Sequence, residues 1–289
     1  MPLIVVCSTK GRPGVTTTAL GLAATLPATA CPVVVECDPA GGDLAARHHL
    51  RATVGLMELA TATRPGAVST PEFPVDPRAL PARPAPGRSA QGGNAIGISD
   101  LLSRHAQRIH LRDRLFDLVV APPGGIQARA AITVLADPTN TTLCPPERVV
   151  VADCGRLDSW SPAWPLLGKA DVVLVLVRGR GEDLAHLGEH MTALSGAAGP
   201  RLNVVVTGER ALYGPADVAG LVDAGGDPVP VLAGLPADQH SAAVLAGDVA
   251  AGRRWRRLPL MTALDRIAAD PRLRLTTTGR DVEPSEVAS

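Results

Sequence analysis

Lysine and aromatic side chains are what this chain has least of. Of its 28 basic residues only Lys10 and Lys169 are lysine, and 289 residues contain six aromatics. Ala, Val and Leu must therefore fill the core, which suits buried parallel strands covered by small-residue helices. An excess of either charge is also missing. The 28 acids balance the 28 bases, so no net field steers the molecule to nucleic acid or an anionic membrane. The five cysteines (Cys7, Cys31, Cys37, Cys144, Cys154) form no C-x-x-C pair and most lie in or beside apolar runs. They read as buried, reduced thiols. No apolar run approaches the about 20 residues of a membrane span, and no basic leader with an apolar core opens the chain. A soluble cytoplasmic protein is expected. There is no G-x-S-x-G elbow, and His48-His49 has no partner at metal-ligand spacing, so neither a hydrolase triad nor a zinc site is supported.

What is present is an alternation of apolar runs and helical patterns. Strands are expected at Leu3–Cys7, Pro32–Asp38, Leu115–Ala121, Arg148–Asp153, Asp171–Val177, Leu202–Thr207 and Val229–Ala233. Helices are expected at Thr16–Leu26, about Asp43–His49, Gly55–Thr63, Ser99–His110, Ala128–Leu135, Ala163–Lys169, Gly181–Leu194, Pro215–Asp223 and Leu258–Ala268. This order predicts an α/β fold with one doubly wound, mostly parallel sheet, a single domain over residues 1–275. Residues 64–98 are Pro- and Gly-rich and read as a long loop or insertion. Residues 276–289 read as a polar, disordered tail without a membrane anchor.

The chemistry concentrates early. Lys10-Gly11-Arg12-Pro13-Gly14-Val15-Thr16-Thr17-Thr18 joins the first strand to the first helix. A glycine turn that opens a helix with hydroxyls in its first turn is the layout of a phosphate-binding loop. Acids close two of the later strands, Asp38 and Asp153, at the end of the sheet where such folds bind ligands. Arg253-Arg254-Trp255-Arg256-Arg257 is the one dense basic cluster. It can meet nucleic-acid backbone or an acidic partner, but on a chain of zero net charge a solvated loop with Trp255 partly packed is the favoured reading.

The loop and four further segments in order resemble the MinD/ParA family, whose loop runs K-G-G-x-G-K-[ST]-T. Lys10, Gly11, Gly14, Thr16 and Thr17 match it. The run Val33 to Asp38 with Pro39 resembles the family's D-x-D-P segment, with Glu36 at the first acid. Val149–Asp153 resembles its Walker B strand, Ala170–Val177 its next core strand, and Gly234-Leu235-Pro236-Ala237-Asp238 the loop bordering the adenine. The resemblance implies ATP and Mg2+ as ligands. It implies that Thr16 holds the metal, with Asp153 acting on it through a water, and that Thr17 meets the α-phosphate. Asp38 would orient the attacking water, and Lys10 would reach the partner's phosphates across a homodimer.

Two departures shape the expectation. Val15 stands where the loop's inner lysine belongs, and a charged hydrogen bond to phosphate is worth about 1.5–3 kcal/mol. Arg12 replaces a glycine and is expected to face solvent or a partner subunit, while Pro13 removes one backbone donor from the cradle. The reading is an altered nucleotide site, with ATP binding retained in weakened form or lost and hydrolysis weak or absent. Its setting is a spatial or assembly regulator of the partitioning or pilus and secretion type, working with a protein partner. The alternatives are an active ATPase dimer that uses Lys10 in trans, and a nucleotide-free scaffold.

Overall fold

The computed structural model describes residues 2–11, 13–63, 98–208, 212–223, 229–271 and 273. In chain order they form β1 (Leu3–Ser8), α1 (Val15–Thr25), β2 (Val33–Glu36), α2 (Leu44–Arg47), α3 (Leu56–Ala62) and α4 (Ile98–His105). Next come β3 (Gln107–Leu111), β4 (Arg114–Val119), α5 (Gly125–Ala136), β5 (Val150–Arg156), α6 (Trp164–Lys169) and β6 (Val172–Arg178). The order closes with α7 (Gly181–Ala198), β7 (Leu202–Thr207), α8 (Pro215–Asp223), β8 (Val231–Leu235), α9 (Gln239–Ala246) and α10 (Pro259–Ala268). The loop expected at 64–98 lies outside the described residues up to 97, as does the tail expected at 276–289.

The eight strands form one sheet in the order β3-β4-β2-β5-β1-β6-β7-β8. Every pairing is parallel except β3 with β4. The doubly wound fold class is as expected. All six residues of β1 are buried, because helices cover both faces and leave water no access to either side of a central strand. On one face Leu59, Ile132, Leu135, Leu167, Leu187 and Val218 bring α3, α5, α6, α7 and α8 onto the strands. On the other, Leu20 and Leu22 of α1 pack with Leu245 of α9 and Leu264 of α10. Gly21 lets α1 approach closely, since a methyl group there would strike the Leu264 side chain.

Several expectations need correction, among them the strand Arg148–Asp153, which starts at Val150 and runs on past its acid to Arg156. Ser99–His110 is not one helix: α4 ends at His105 and β3 pairs antiparallel with β4, Ile109 opposite Phe116. Residues 107–111 bury every second side chain, Ile109 and Leu111, which is the period of a half-exposed edge strand. The strand expected at Val229–Ala233 lies at Val231–Leu235. Helix α9 has no counterpart among the expected helices; its apolar residues are too small to give a strong periodic pattern, and Asp238 starts it by accepting from Ser241 N–H at 3.0 Å. Among the cysteines, Cys7, Cys37 and Cys154 are buried as expected, but Cys31 is exposed. Burial pushes the three buried thiols above their ordinary range, which makes Cys154 inert as a nucleophile.

Candidate functional site

The winding of the sheet reverses at β1, which has β5 on one side and β6 on the other. Ligands in such sheets sit outside the carboxyl ends of the strands at this switch point. The loop after β1 occupies it. Gly14 adopts φ 90°, ψ 36°, a left-handed conformation that a side chain would strain, and it turns the chain into α1. No side chain caps α1 and no acid occupies its first turn, so the first N–H groups are left to an anion.

Two cavities meet at this loop. The larger, about 840 Å³, is lined by Gly11, Gly14, Val15, Thr16 and Thr17 on one side and by Asp38 on another. The smaller, about 280 Å³, lies between the loop and the end of the sheet, with Pro13, Thr17, Thr207, Pro236 and Asp238 in its wall. Pro13, Gly14 and Thr17 border both. Lys10 is part-exposed and lines neither; Arg12 lies outside the described residues.

Asp153 is wholly buried near the end of β5, on the sheet face that carries α1, in register with Val6 and Glu36. Its Oδ1 accepts from Gly155 N–H at 3.2 Å, while Oδ2 has no hydrogen-bond partner. Burial raises its pKa from 3.8 to about 7; the Thr16 hydroxyl and Gly155 N–H oppose the rise, and the charges of Glu36 and Asp38 add to it. An orphaned carboxylate oxygen behind a helix-start hydroxyl fits one hard divalent cation. Among the described residues no three His, Cys, Asp or Glu side chains gather to hold a metal unaided. That suits Mg2+, which keeps waters and phosphate oxygens in its shell.

Glu36 and Asp38, the two acids of the β2 segment, have separate tasks. Glu36 accepts from Asp43 N–H and Ala121 N–H, both at 2.8 Å, and from Leu44 N–H at 3.1 Å. It is a buried clamp joining β2, β4 and the start of α2, and burial raises its pKa against those bonds. Asp38 faces the larger cavity and accepts from Ala40 N–H at 2.8 Å. Its pKa is also raised, chiefly by burial. Gly155, at φ 54°, lies directly against Asp38: a methyl group there would collide with the carboxylate, so only glycine permits this packing.

The structure adds residues that sequence reading did not reach. Arg129 of α5 and Arg156 of β5 line the larger cavity. Arg178, at the end of β6, lines the smaller one and lies against Gly11. Asp183, nearly inaccessible near the start of α7, holds both Nε and Nη2 of Arg178, the latter at 3.0 Å. Arg156 and Arg178 close strands, a position that marked Asp153 and could have marked them; Arg129 carried no such signal. Asp238 borders the smaller cavity as expected, but its oxygens are engaged by Ser241 N–H, Ser241 Oγ at 2.7 Å and Leu260 N–H at 3.3 Å. The basic cluster lines neither cavity. Trp255 there is buried and donates to Asp113 at 3.0 Å, Arg256 pairs with Asp265, and Arg253, Arg254 and Arg257 are exposed.

A parallel sheet with a glycine loop and an uncapped helix at its switch point defines a P-loop nucleotide-binding fold. No protein-family model matches the sequence, and no curated protein does. Solved structures do. The cell division ATPase MinD of Pyrococcus furiosus aligns with a TM-score of 0.63 at 14% identity, over 93% of this chain and 97% of that one. The ParA family ATPase from Chlorobium tepidum gives 0.61 at 13% identity, over 93% and 97%. The septum site-determining protein MinD of Pyrococcus horikoshii, complexed with Mg-ADP, gives 0.61 at 14%, over 96% and 99%. The chain has the MinD/ParA-like P-loop NTPase fold. Among the described residues no helix is long and apolar enough to cross a membrane.

Proposed function

We propose that this protein is a MinD/ParA-like nucleotide switch with an altered phosphate site: it binds ATP with Mg2+ and hydrolyses it weakly or not at all. The observation that carries this reading is the unpartnered Oδ2 of Asp153 beside a loop that turns at Gly14 into an uncapped helix and has Val15 in place of a cation. A collapsed loop without a ligand would have no use for a fully buried carboxylate with one oxygen unpartnered, which is costly to keep. In this reading the first-turn N–H groups hold the phosphates, Thr16 and Asp153 hold Mg2+ directly and through a water, and Thr17 meets the α-phosphate. Bound Mg2+ supplies charge neutralisation between phosphate oxygens. Asp38 orients a water at the outer end of the cavity, and Pro236 and Asp238 border the base. A related fold complexed with Mg-ADP supports the choice of ligand. Signalling by nucleotide state to a protein partner, in partitioning or in pilus and secretion assembly, is the role that fits such a switch.

Isothermal titration with ATP and Mg2+ tests this. Micromolar or weaker binding with turnover near background is expected. Tight binding with steady hydrolysis that disappears in Asp38→Ala would contradict the altered-site reading, and no binding at all would favour a nucleotide-free scaffold.

A second reading, an active dimer, draws on Lys10, which is part-exposed and lines neither cavity of its own subunit. It predicts dimers on adding ATP that Lys10→Ala abolishes, read by light scattering. A monomer at saturating ATP would remove it.

A further inference from the structure

The loop lacks its inner cation, and four arginines of the described residues line its two cavities, of which Arg47 is already paired with Asp43. Arg178 is the least suited to replace that charge. A buried carboxylate already engages its Nε and Nη2, and it lines the smaller cavity. Arg156 and Arg129 differ on both counts. Each lines the larger cavity with Gly14, Val15 and Thr16, and among the described residues neither is in an ion pair.

Their placement is built by separate parts of the fold. Arg156 follows Gly155, whose N–H is bonded to Asp153 and whose Cα lies against Asp38. Its backbone is therefore fixed by the same contacts that place the two acids. Arg129 projects from α5, and its Nη2 donates to the Trp160 carbonyl at 2.5 Å, which anchors one edge of the guanidinium. The nearby opposite charges are partly committed. Asp43 pairs with Arg47 at 3.3 Å, and Asp158 Oδ1 accepts from Trp160 N–H at 2.8 Å. Two unpaired guanidinium groups thus share a cavity with a phosphate loop that has no lysine. Planar guanidinium forks suit phosphate oxygens.

We propose that Arg129 and Arg156 supply the phosphate-binding charge missing at Val15, gripping the terminal phosphate of a nucleoside triphosphate. This rests on the nucleotide reading above and extends it to specificity. A loop lysine serves diphosphates and triphosphates alike, whereas cations outside the cradle reach only the outermost phosphate. The site should therefore prefer ATP to ADP more strongly than a lysine-bearing loop does.

The test is titration of MgATP and MgADP into the parent, Arg129→Ala, Arg156→Ala, the double variant, and the double variant with Val15→Lys. Thermal melting of each confirms folding, which the surface position of Arg156 favours. The double variant should lose about ten- to a hundredfold in ATP affinity with ADP affinity nearly unchanged, and Val15→Lys should restore ATP binding. Unchanged ATP affinity overturns the proposal, and so does an equal fall for ATP and ADP, which would mark a structural role. Failure of Val15→Lys to restore binding also counts against it. A parent that binds neither nucleotide overturns the nucleotide reading itself, a result separate from any of these.

Discussion

Asp153→Asn should melt at a higher temperature than the parent in ligand-free buffer at pH 8, and should lose the stabilisation that MgATP gives. The cause is the unsatisfied carboxylate. Asp153 is fully buried with Oδ2 unpartnered, and burial lifts its pKa from 3.8 to about 7. A tenfold change in proton affinity is worth about 1.36 kcal/mol, so keeping the ionised form inside the protein costs about 4 kcal/mol. Asparagine keeps an acceptor for Gly155 N–H but leaves its own amide group short of partners, which returns about 1–3 kcal/mol of that gain. A net gain of about 2 kcal/mol, or about 4–6 °C, is the expected result.

The pH dependence carries the sign. With the folded pKa raised, the folded state binds the proton more readily than the unfolded chain, so the parent loses stability as pH rises from about 4 to about 7. Asparagine does not titrate there. The two proteins should melt alike below about pH 4 as far as this position is concerned, and diverge up to about pH 7. MgATP should then raise the melting temperature of the parent and leave the variant nearly unchanged, because the ligand binds only where the acid can act on the metal. A variant less stable than the parent at pH 8 would mean that the carboxylate is satisfied in the apo protein.

Val15→Lys should raise ATP affinity about ten- to a hundredfold. Val15 is the first residue of α1 and is mostly buried, yet it lines the larger cavity. A lysine there can bury its stem where the valine sat and extend its ammonium towards a phosphate held by the loop. The substitution gives up apolar packing, with an expected loss of about 1–2 kcal/mol in the absence of nucleotide. Because Arg129 and Arg156 would serve the same phosphate, the gain should be larger when both are alanine than in the parent. Opposite signs for affinity and apo stability separate this outcome from general stabilisation. A loop that gains nothing from the lysine would be a tight turn and not a cradle.

The local parts of this fold were legible because local rules govern them. The run Leu3–Cys7 is apolar throughout, as a strand buried on both faces must be, and Gly14 before three threonines marks a turn into a helix. Asp38 could be placed just past the end of its strand from that strand alone, whereas β5 runs on beyond Asp153 to Arg156. The errors have equally local causes. Leu101, Leu102 and Ile109 gave a helical spacing that ran on into β3, where edge pairing with β4 decides the conformation. The small residues of α9 gave no period to read.

Pairing across the chain was another matter. Glu36 looked like a member of an acidic pair, but its bonds to Asp43, Leu44 and Ala121 make it a structural clamp, because β4 lies beside β2 and α2 starts below its carboxylate. Arg156 and Arg178 come to the loop only through the strand order, which sets β5 and β6 on either side of β1, while Arg129 reaches the larger cavity from α5. The sequence by itself determined that a phosphate-type loop follows the first strand, that acids lie towards the carboxyl ends of two other strands, and that the loop has no inner lysine. Those are properties of adjacent residues. The tertiary structure decided which acid stays unsatisfied, which one only braces the sheet, and which arginines face the cavity, because those depend on distances between segments far apart in the chain.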